Sequence, residues 1–393
     1  MPRSVGRGNT ARVLAATMLG TIDTNALVPI IALYASSLGA DLVQVGIIVG
    51  LYSAVHAPAN FAFGRLADRY GRKLPLGIGL LWDALSVFLY SLASTPLMLA
   101  LARVSHGLGG GLVGPSTMTL MADLATPGRR GRGMALYGIS IALAVVIGFG
   151  ISGPIVNRLG YDPLFYFLSA GLVIGFLIAL GLREPVRVRE RRRLDWRRLG
   201  RYLRSAEPAA GYASIFSLYF MLGAFVALVP LWLEETLGYG ALEVGLSFTT
   251  FAVLSLILHY PAGILADRFG PSAPALIGIV ATGAAMAVIP AARGITGIVL
   301  TMALFGVGHG FVFPSSSTLV TRSAVPDQRG VVTGLFYSIL VAGVAIGAPT
   351  MAIVAAPANY ALGIWASSWI ALAGLAFVAR ALRAPAAAAS MAS

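Results

Sequence analysis

Asp23, Asp83 and Arg103 stand inside apolar runs long enough to cross a bilayer. A charged side chain at the bilayer centre costs about 2.5–3.5 kcal/mol on insertion scales, so such residues face a cavity or one another. Asp23 lies about 12 residues from the far end of its run and Arg103 about 7 from the same face. At 1.5 Å rise per residue their Cα depths differ by less than roughly 10 Å, a gap two side chains bridge. This spacing makes Asp23 the main candidate for a substrate-cation or proton site, with Arg103 as its neighbour. The chemistry would be competition: a buried carboxylate is neutralised by a proton or by a cation, and each displaces the other. A static Asp23–Arg103 pair joining two helices fits the same spacing. Asp83 fits either a proton role or a structural hydrogen bond.

Four histidines, His56, His106, His259 and His309, also fall within apolar runs. Neutral imidazole hydrogen-bonds a substrate or relays protons, and a lone intramembrane His is equally a satisfied polar contact. His106, three residues after Arg103, is the first candidate for a proton path. No two of these histidines have close metal-ligand spacing, so no metal site is expected. The chain has no cysteine, and it carries no nucleotide-binding loop, hydrolase triad or cofactor fingerprint, which argues against an enzyme and against a cofactor.

A second charged feature is the turn Gly64-Arg65-Leu66-Ala67-Asp68-Arg69-Tyr70-Gly71-Arg72-Lys73, set between two apolar runs. Arg72 is four residues after Asp68 and can fold back to it, and Asp123 closes the next run but one on the same side. An Asp68–Arg72–Asp123 cluster would latch that face shut; the alternative is that these residues only fix topology and loop shape. The turn recurs 199 residues later as Gly263-Ile264-Leu265-Ala266-Asp267-Arg268-Phe269-Gly270. There Pro271 replaces Arg72 and Arg322 replaces Asp123, so a direct Asp267–Arg322 pair is the expected substitute.

The elements that must position these residues follow from composition. Of 393 residues 58% are hydrophobic and 11% charged, with mean hydropathy +0.84. Soluble domains carry about 25% charged residues, so the bilayer is this chain's solvent. Twelve helical spans are expected, roughly at 11–35, 43–63, 74–94, 96–123, 133–156, 163–183, 209–233, 243–264, 273–292, 295–321, 331–354 and 359–383. The first run, after Arg3 and Arg7, reads as a span and not a removed signal. The net charge of +13 is explained by Arg and Lys gathered in loops on one side, which places both termini in the cytoplasm and leaves no role for nucleic acid. The loop 184–208 concentrates nine arginines with a Leu194–Trp196–Leu199–Tyr202–Leu203 stripe. Both a helix lying on anionic lipid and a solvated linker fit it. Residues 384–393, mostly Ala and Ser, are expected to be disordered.

The 199-residue offset holds without a gap from residue 64 to 131: Gly107, Gly109, Gly111, Pro115 and Ser116 map onto Gly306, Gly308, Gly310, Pro314 and Ser315. Two parallel six-helix repeats are therefore expected, 1–183 and 209–383, related by an axis along the membrane normal.

The charged turn with its half-length copy resembles the signature loop of the major facilitator superfamily. Leu101-Ala102-Arg103-x-x-x-Gly107 looks like the proton-coupling motif of its twelve-helix drug:proton antiporter branch. Ala122-Asp123-x-x-x-Pro127-x-x-Arg130-Gly131 looks like the end of helix 4 and the following loop. The resemblance covers essentially the whole chain. The helix 5 antiporter motif is incomplete: Gly153-Pro154 is present, but Asn157 and Arg158 stand in the later positions, and Met302 stands where the repeat would place a second Arg103. The resemblance implies an all-α, twelve-helix secondary transporter in the plasma (inner) membrane, monomeric, working by alternating access on protons and a small amphipathic or cationic compound. A metabolite or sugar exporter, a proton symporter and a non-transporting sensor on the same fold are the rival readings.

Overall fold

In the computed structural model, residues 3–124, 130–183, 200, 202–322, 324, 329–356 and 359–383 are described, without the side chains of 3–7, 64–70, 122, 130–132, 135, 329 and 330. Most of the basic loop (184–199 and 201), the tail 384–393, and the side chains of Gly64, Asp68 and Arg69 thus lie outside the described residues.

The described residues contain helices and no strand. The first unit holds α1 Arg3–Leu27, α2 Ile31–Ser37, α3 Leu42–Tyr70, α4 Lys73–Ser91, α5 Pro96–Leu124, α6 Arg130–Leu159 and α7 Tyr161–Leu180. Then come α8 Ala206–Leu237, α9 Ala241–Phe269, α10 Ser272–Val288, a 3₁₀ turn Ile289–Ala291, α11 Gly294–Thr321, α12 Arg329–Ala355, α13 Tyr360–Ser367 and α14 Ile370–Arg383. Eleven helical stretches among the described residues are long and apolar enough to span a membrane, and twelve if α1 and α2, bent by 50°, count as one. The bend falls at the turn 28–30, where Pro29 withholds a backbone donor and disfavours helix at the residue before it. With no water in the hydrocarbon region, helices satisfy every backbone group internally, and prolines inside α3, α5, α6, α8, α9, α11 and α12 are tolerated where neighbours repair the ladder.

Two compact units emerge: Met1–Val188 with Leu233–Thr249, and Arg189–Trp232 with Thr250–Ser393. Within the first, α5 packs on α3 and α4, and α1 on α6 and α7. Small residues allow these close approaches. The repeat is visible in local geometry. Gly71 and Gly270 follow α3 and α9 at φ 99° and 81°, a conformation that costs side chains steric strain. A Cβ on Gly107 would come within 2.7 Å of Tyr52 O, and one on Gly306 within 2.6 Å of Phe251 O. The Thr119 hydroxyl donates to Pro115 O at 2.6 Å, and the Thr318 hydroxyl to Pro314 O at 2.9 Å.

One helix offers an internal control on this packing. On α6, a Cβ at Gly148 would sit 2.8 Å from Ala26 N and 2.9 Å from Ile22 O, whereas one at Gly138 would meet nothing within 4 Å. Gly148→Ala is expected to destabilise by about 1–3 kcal/mol, while Gly138→Ala is neutral or gains up to about 1 kcal/mol. Thermal unfolding of the two variants in detergent measures the difference; equal midpoints would contradict the backbone contact at Gly148.

Candidate functional site: a buried carboxyl–imidazole cluster

Asp23 on α1, Asp83 on α4 and His106 on α5 are 0%, 1% and 0% exposed. One ligand-type atom from each lies within 4.8 Å of the other two. His106 Nε2 lies 2.9 Å from Asp23 Oδ2, and its Nδ1 lies 2.8 Å from the Tyr90 hydroxyl. The tautomer that satisfies both bonds donates Nε2–H to Asp23 and accepts the Tyr90 proton at Nδ1. Asp23 Oδ1 and Asp83 Oδ1 are buried and find no hydrogen-bond partner among the described residues. Each such atom costs about 1–3 kcal/mol, a cost that a proton or a cation arriving at the cluster relieves. Carboxylates with an imidazole are also donors for divalent ions, but His106 has both nitrogens engaged, which suits a proton or an organic cation better.

Arg103 is not the partner of Asp23, as its depth had suggested. Its guanidinium, 6% exposed, donates to Ile48 O and Val49 O of α3 at 3.2 Å each. It also lies 5.0 Å from the Tyr52 ring centroid, a cation–π distance. Three residues along a helix turn a side chain by about 60°, so Arg103 faces α3 while His106 faces α1. Tyr52 carries the cluster outward. It meets His106 edge-on at 4.9 Å, stacks on His56 at 5.1 Å, and accepts a bond from the Thr24 hydroxyl at 3.3 Å.

The second repeat builds the same packing without the charges. At the 199-residue offset Tyr52, His106, Arg103 and Asp83 become Phe251, Phe305, Met302 and Thr282. Phe251 and Phe305 keep the edge-on contact at 5.2 Å, and Phe225 stacks on Phe305 at 4.5 Å. A Cβ on Gly109 would collide with Asp83 Oδ1, and one on Gly308 with Thr282 Oγ1. Thr282 satisfies itself by donating to Gly278 O at 2.7 Å. The fold therefore accommodates neutral residues at these sites, and the ionisable set in the first unit is an addition to it. Unit two carries a different polar group: Ser255 Oγ lies 2.7 Å from His309 Nδ1, Tyr219 OH lies 3.4 Å from His309 Nε2, and His259 bonds the Ser255 carbonyl.

At the charged turn, Arg72, 5% exposed, pairs with Asp123 at 3.0 Å; Asp68 and Arg69 fall outside the described side chains. Arg322 does not join Asp267. Its Nε donates to Glu207 Oε2 at 2.9 Å and Nη2 to Glu207 Oε1. Asp267 and Arg268 are exposed at the end of α9, with Arg268 over the Phe269 ring at 5.4 Å. The repeat had pointed to the neighbouring turn as the source of the carboxylate, but α8 brings its first-turn Glu207 nearer. Gly153 packs where α6 meets the start of α9: a Cβ there would lie 2.5 Å from Ala241 O. Pro154 follows it within α6, which continues to Leu159. Tyr90 was missed in the sequence. Its signal is the seven-residue spacing from Asp83, two turns along one helical face.

The sequence profile of the Major Facilitator Superfamily matches residues 13–210 and again 211–391. The chain belongs to that superfamily, and is accordingly a multi-pass membrane transporter of a small-molecule substrate and not an enzyme. It is 25% identical over 303 residues to multidrug resistance protein 1 of Bacillus subtilis, covering 75% of this chain and 77% of that one. It is 25% identical over 344 residues to the class B tetracycline resistance protein of Escherichia coli, covering 84% and 83%. Among solved structures, a variant of the nucleoside transporter NupG has a TM-score of 0.82 over 94% of this chain and 99% of that one, at 14% identity, a likeness of fold.

The comparison between repeats yields a stability prediction. Asp83→Thr removes an unsatisfied carboxyl and is expected to hold or raise the unfolding midpoint. His106→Phe strands Asp23 and is expected to cost about 1–3 kcal/mol, which Asp23→Leu in the same chain restores. Thermal unfolding of the three variants reads this out, and a large loss from Asp83→Thr would mean that its carboxyl holds the bundle together.

Proposed function

We propose that this transporter exports a small amphipathic or cationic compound in exchange for protons. The observation that carries the reading is the Asp23–His106 bond beside Asp83, with two buried carboxyl oxygens left unpartnered and neutral residues at the equivalent places in the second repeat. Asp23 is the group for which proton and cation compete. A cation arriving at Asp23 displaces the proton, and a proton returning releases the cation. His106 connects Asp23 to Tyr90 and offers a path for that proton. Arg103, held by carbonyls, fixes a positive charge that keeps α3 and α5 in register and repels a second cation.

Transport proceeds by alternating access, the cluster opening to one membrane face and then the other. The Arg and Lys distribution supports a plasma (inner) membrane protein with both termini cytoplasmic, so the Arg72–Asp123 pair belongs to the cytoplasmic face and latches it. The names of the two resistance proteins agree with export of foreign compounds. Proton symport of a neutral metabolite is the second reading, favoured by the uncharged Ser255–His309–Tyr219 group in unit two.

Proteoliposomes carrying an imposed pH gradient test both. Wild type is expected to move at least one cation of a compound panel against its gradient with counterflow of protons. Asp23→Asn is expected to reduce gradient-driven flux by about tenfold or more, the rate equivalent of losing one charge-assisted contact. Flux without proton movement would remove the coupling, cotransport in the same direction would select symport, and no flux of any compound would remove the export reading. Asp123→Asn, which breaks the Arg72 pair, is expected to change conformational exchange and transport rate while leaving substrate affinity within about threefold; unchanged rates would reduce the pair to a topology marker.

A further inference from the structure

Away from the cluster, a surface groove of about 370 Å³ runs between α4 and α7, lined by Lys73, Leu74, Gly77, Ile78, Leu81 and Phe176 among others. Leu74 is 58% exposed and Ile78 44%. The groove is open because Gly77 has no side chain; a Cβ there would reach the Phe176 ring at 3.4 Å. Two cations stand at one end of it. Lys73 Nζ donates to Leu180 O and Arg12 Nη1 to Gly181 O, each at 2.7 Å, successive carbonyls at the C-terminus of α7. Neither forms an ion pair with a carboxylate among the described residues. Each keeps further N–H donors beyond the one it uses. The groove end of α4 adds to this: its first turn has no side-chain cap and no acidic residue, which leaves backbone donors and the positive end of the helix dipole. At the 199-residue offset Lys73 becomes Ser272, so the turn between the paired helices does not itself require a lysine.

We propose that this groove binds an anionic phospholipid, its phosphate between Arg12 and Lys73 and an acyl chain along Leu74, Ile78 and Leu81. The apolar face lies at membrane depth, where lipid is the solvent, so a chain reaches the groove without crossing water. The two cations select a negative headgroup over a zwitterionic one. In the orientation proposed above they meet the cytoplasmic leaflet, which carries the anionic lipid. A bound lipid at this place bridges α1, α4 and α7 and would stiffen their packing.

Native mass spectrometry of the detergent-solubilised full chain, titrated with phosphatidylglycerol, phosphatidylcholine or inorganic phosphate, tests this. Phosphatidylglycerol is expected to bind about tenfold tighter than phosphatidylcholine, with no retention of inorganic phosphate. The paired change Arg12→Gln and Lys73→Gln is expected to abolish that preference. Gly77→Leu, which fills the groove and leaves the charges alone, is expected to remove the high-affinity lipid. Leu74→Asn, on the exposed rim, does the same should Gly77→Leu fail to fold. Equal binding of the two lipids, or a preference surviving the paired Gln change, would overturn the headgroup assignment. Phosphate that binds and excludes the lipid would make this a free-anion site, and lipid binding untouched by both groove changes would overturn the groove.

Discussion

Placing carboxyl groups at membrane depth is the constraint on which the first unit depends. Asp23 and Asp83 are both buried inside the bundle. A lone charge there is unfavourable by several kcal/mol, so its neighbours have to supply donors. His106 does this for Asp23, and it can because Tyr90 occupies its other nitrogen and fixes the tautomer. Glycines on α5 let α3 and α4 come close enough for these short side chains to meet. The packing of small residues and the polar cluster are one design: bulk at Gly107 or Gly109 would push the partners apart.

Duplication makes the two halves informative about each other. The second repeat keeps the glycine contacts and the edge-on ring pair but fills the centre with Phe225, Phe251 and Phe305. An aromatic core is the less expensive solution, because it buries no group that needs a partner. The polar version in the first repeat therefore has a cost without a packing benefit. Unit two has its own uncharged hydrogen-bonding group, suited to recognising a substrate by contact and not by charge exchange.

Much of this was legible beforehand. Twelve apolar runs, the half-length repeat and the superfamily were readable because hydropathy, charge asymmetry and a fixed offset are properties of the chain in one dimension. The intramembrane residues Asp23, Asp83, Arg103 and His106 announced themselves by being ionisable where they should not be. Their pairing was not legible. Arg103 has the right depth for Asp23 but faces α3, and Arg322 finds Glu207 in place of Asp267. Helix rise predicts depth from a residue count, whereas partner choice depends on the direction around the axis and on which helix packs there.

The sequence by itself determined that this chain spans a membrane as duplicated helical bundles, because apolar runs of about 20 residues satisfy their own backbone in lipid as helices. It also singled out the few ionisable residues at membrane depth, because such a group in an apolar run is unfavourable unless a partner or a cavity receives it. Only the tertiary structure decided that Asp23, Asp83 and His106 belong to one cluster and that Arg103 is tied to carbonyls of α3 and not to Asp23. Those contacts join residues tens of positions apart through the rotation and packing of separate helices, which no spacing along the chain records.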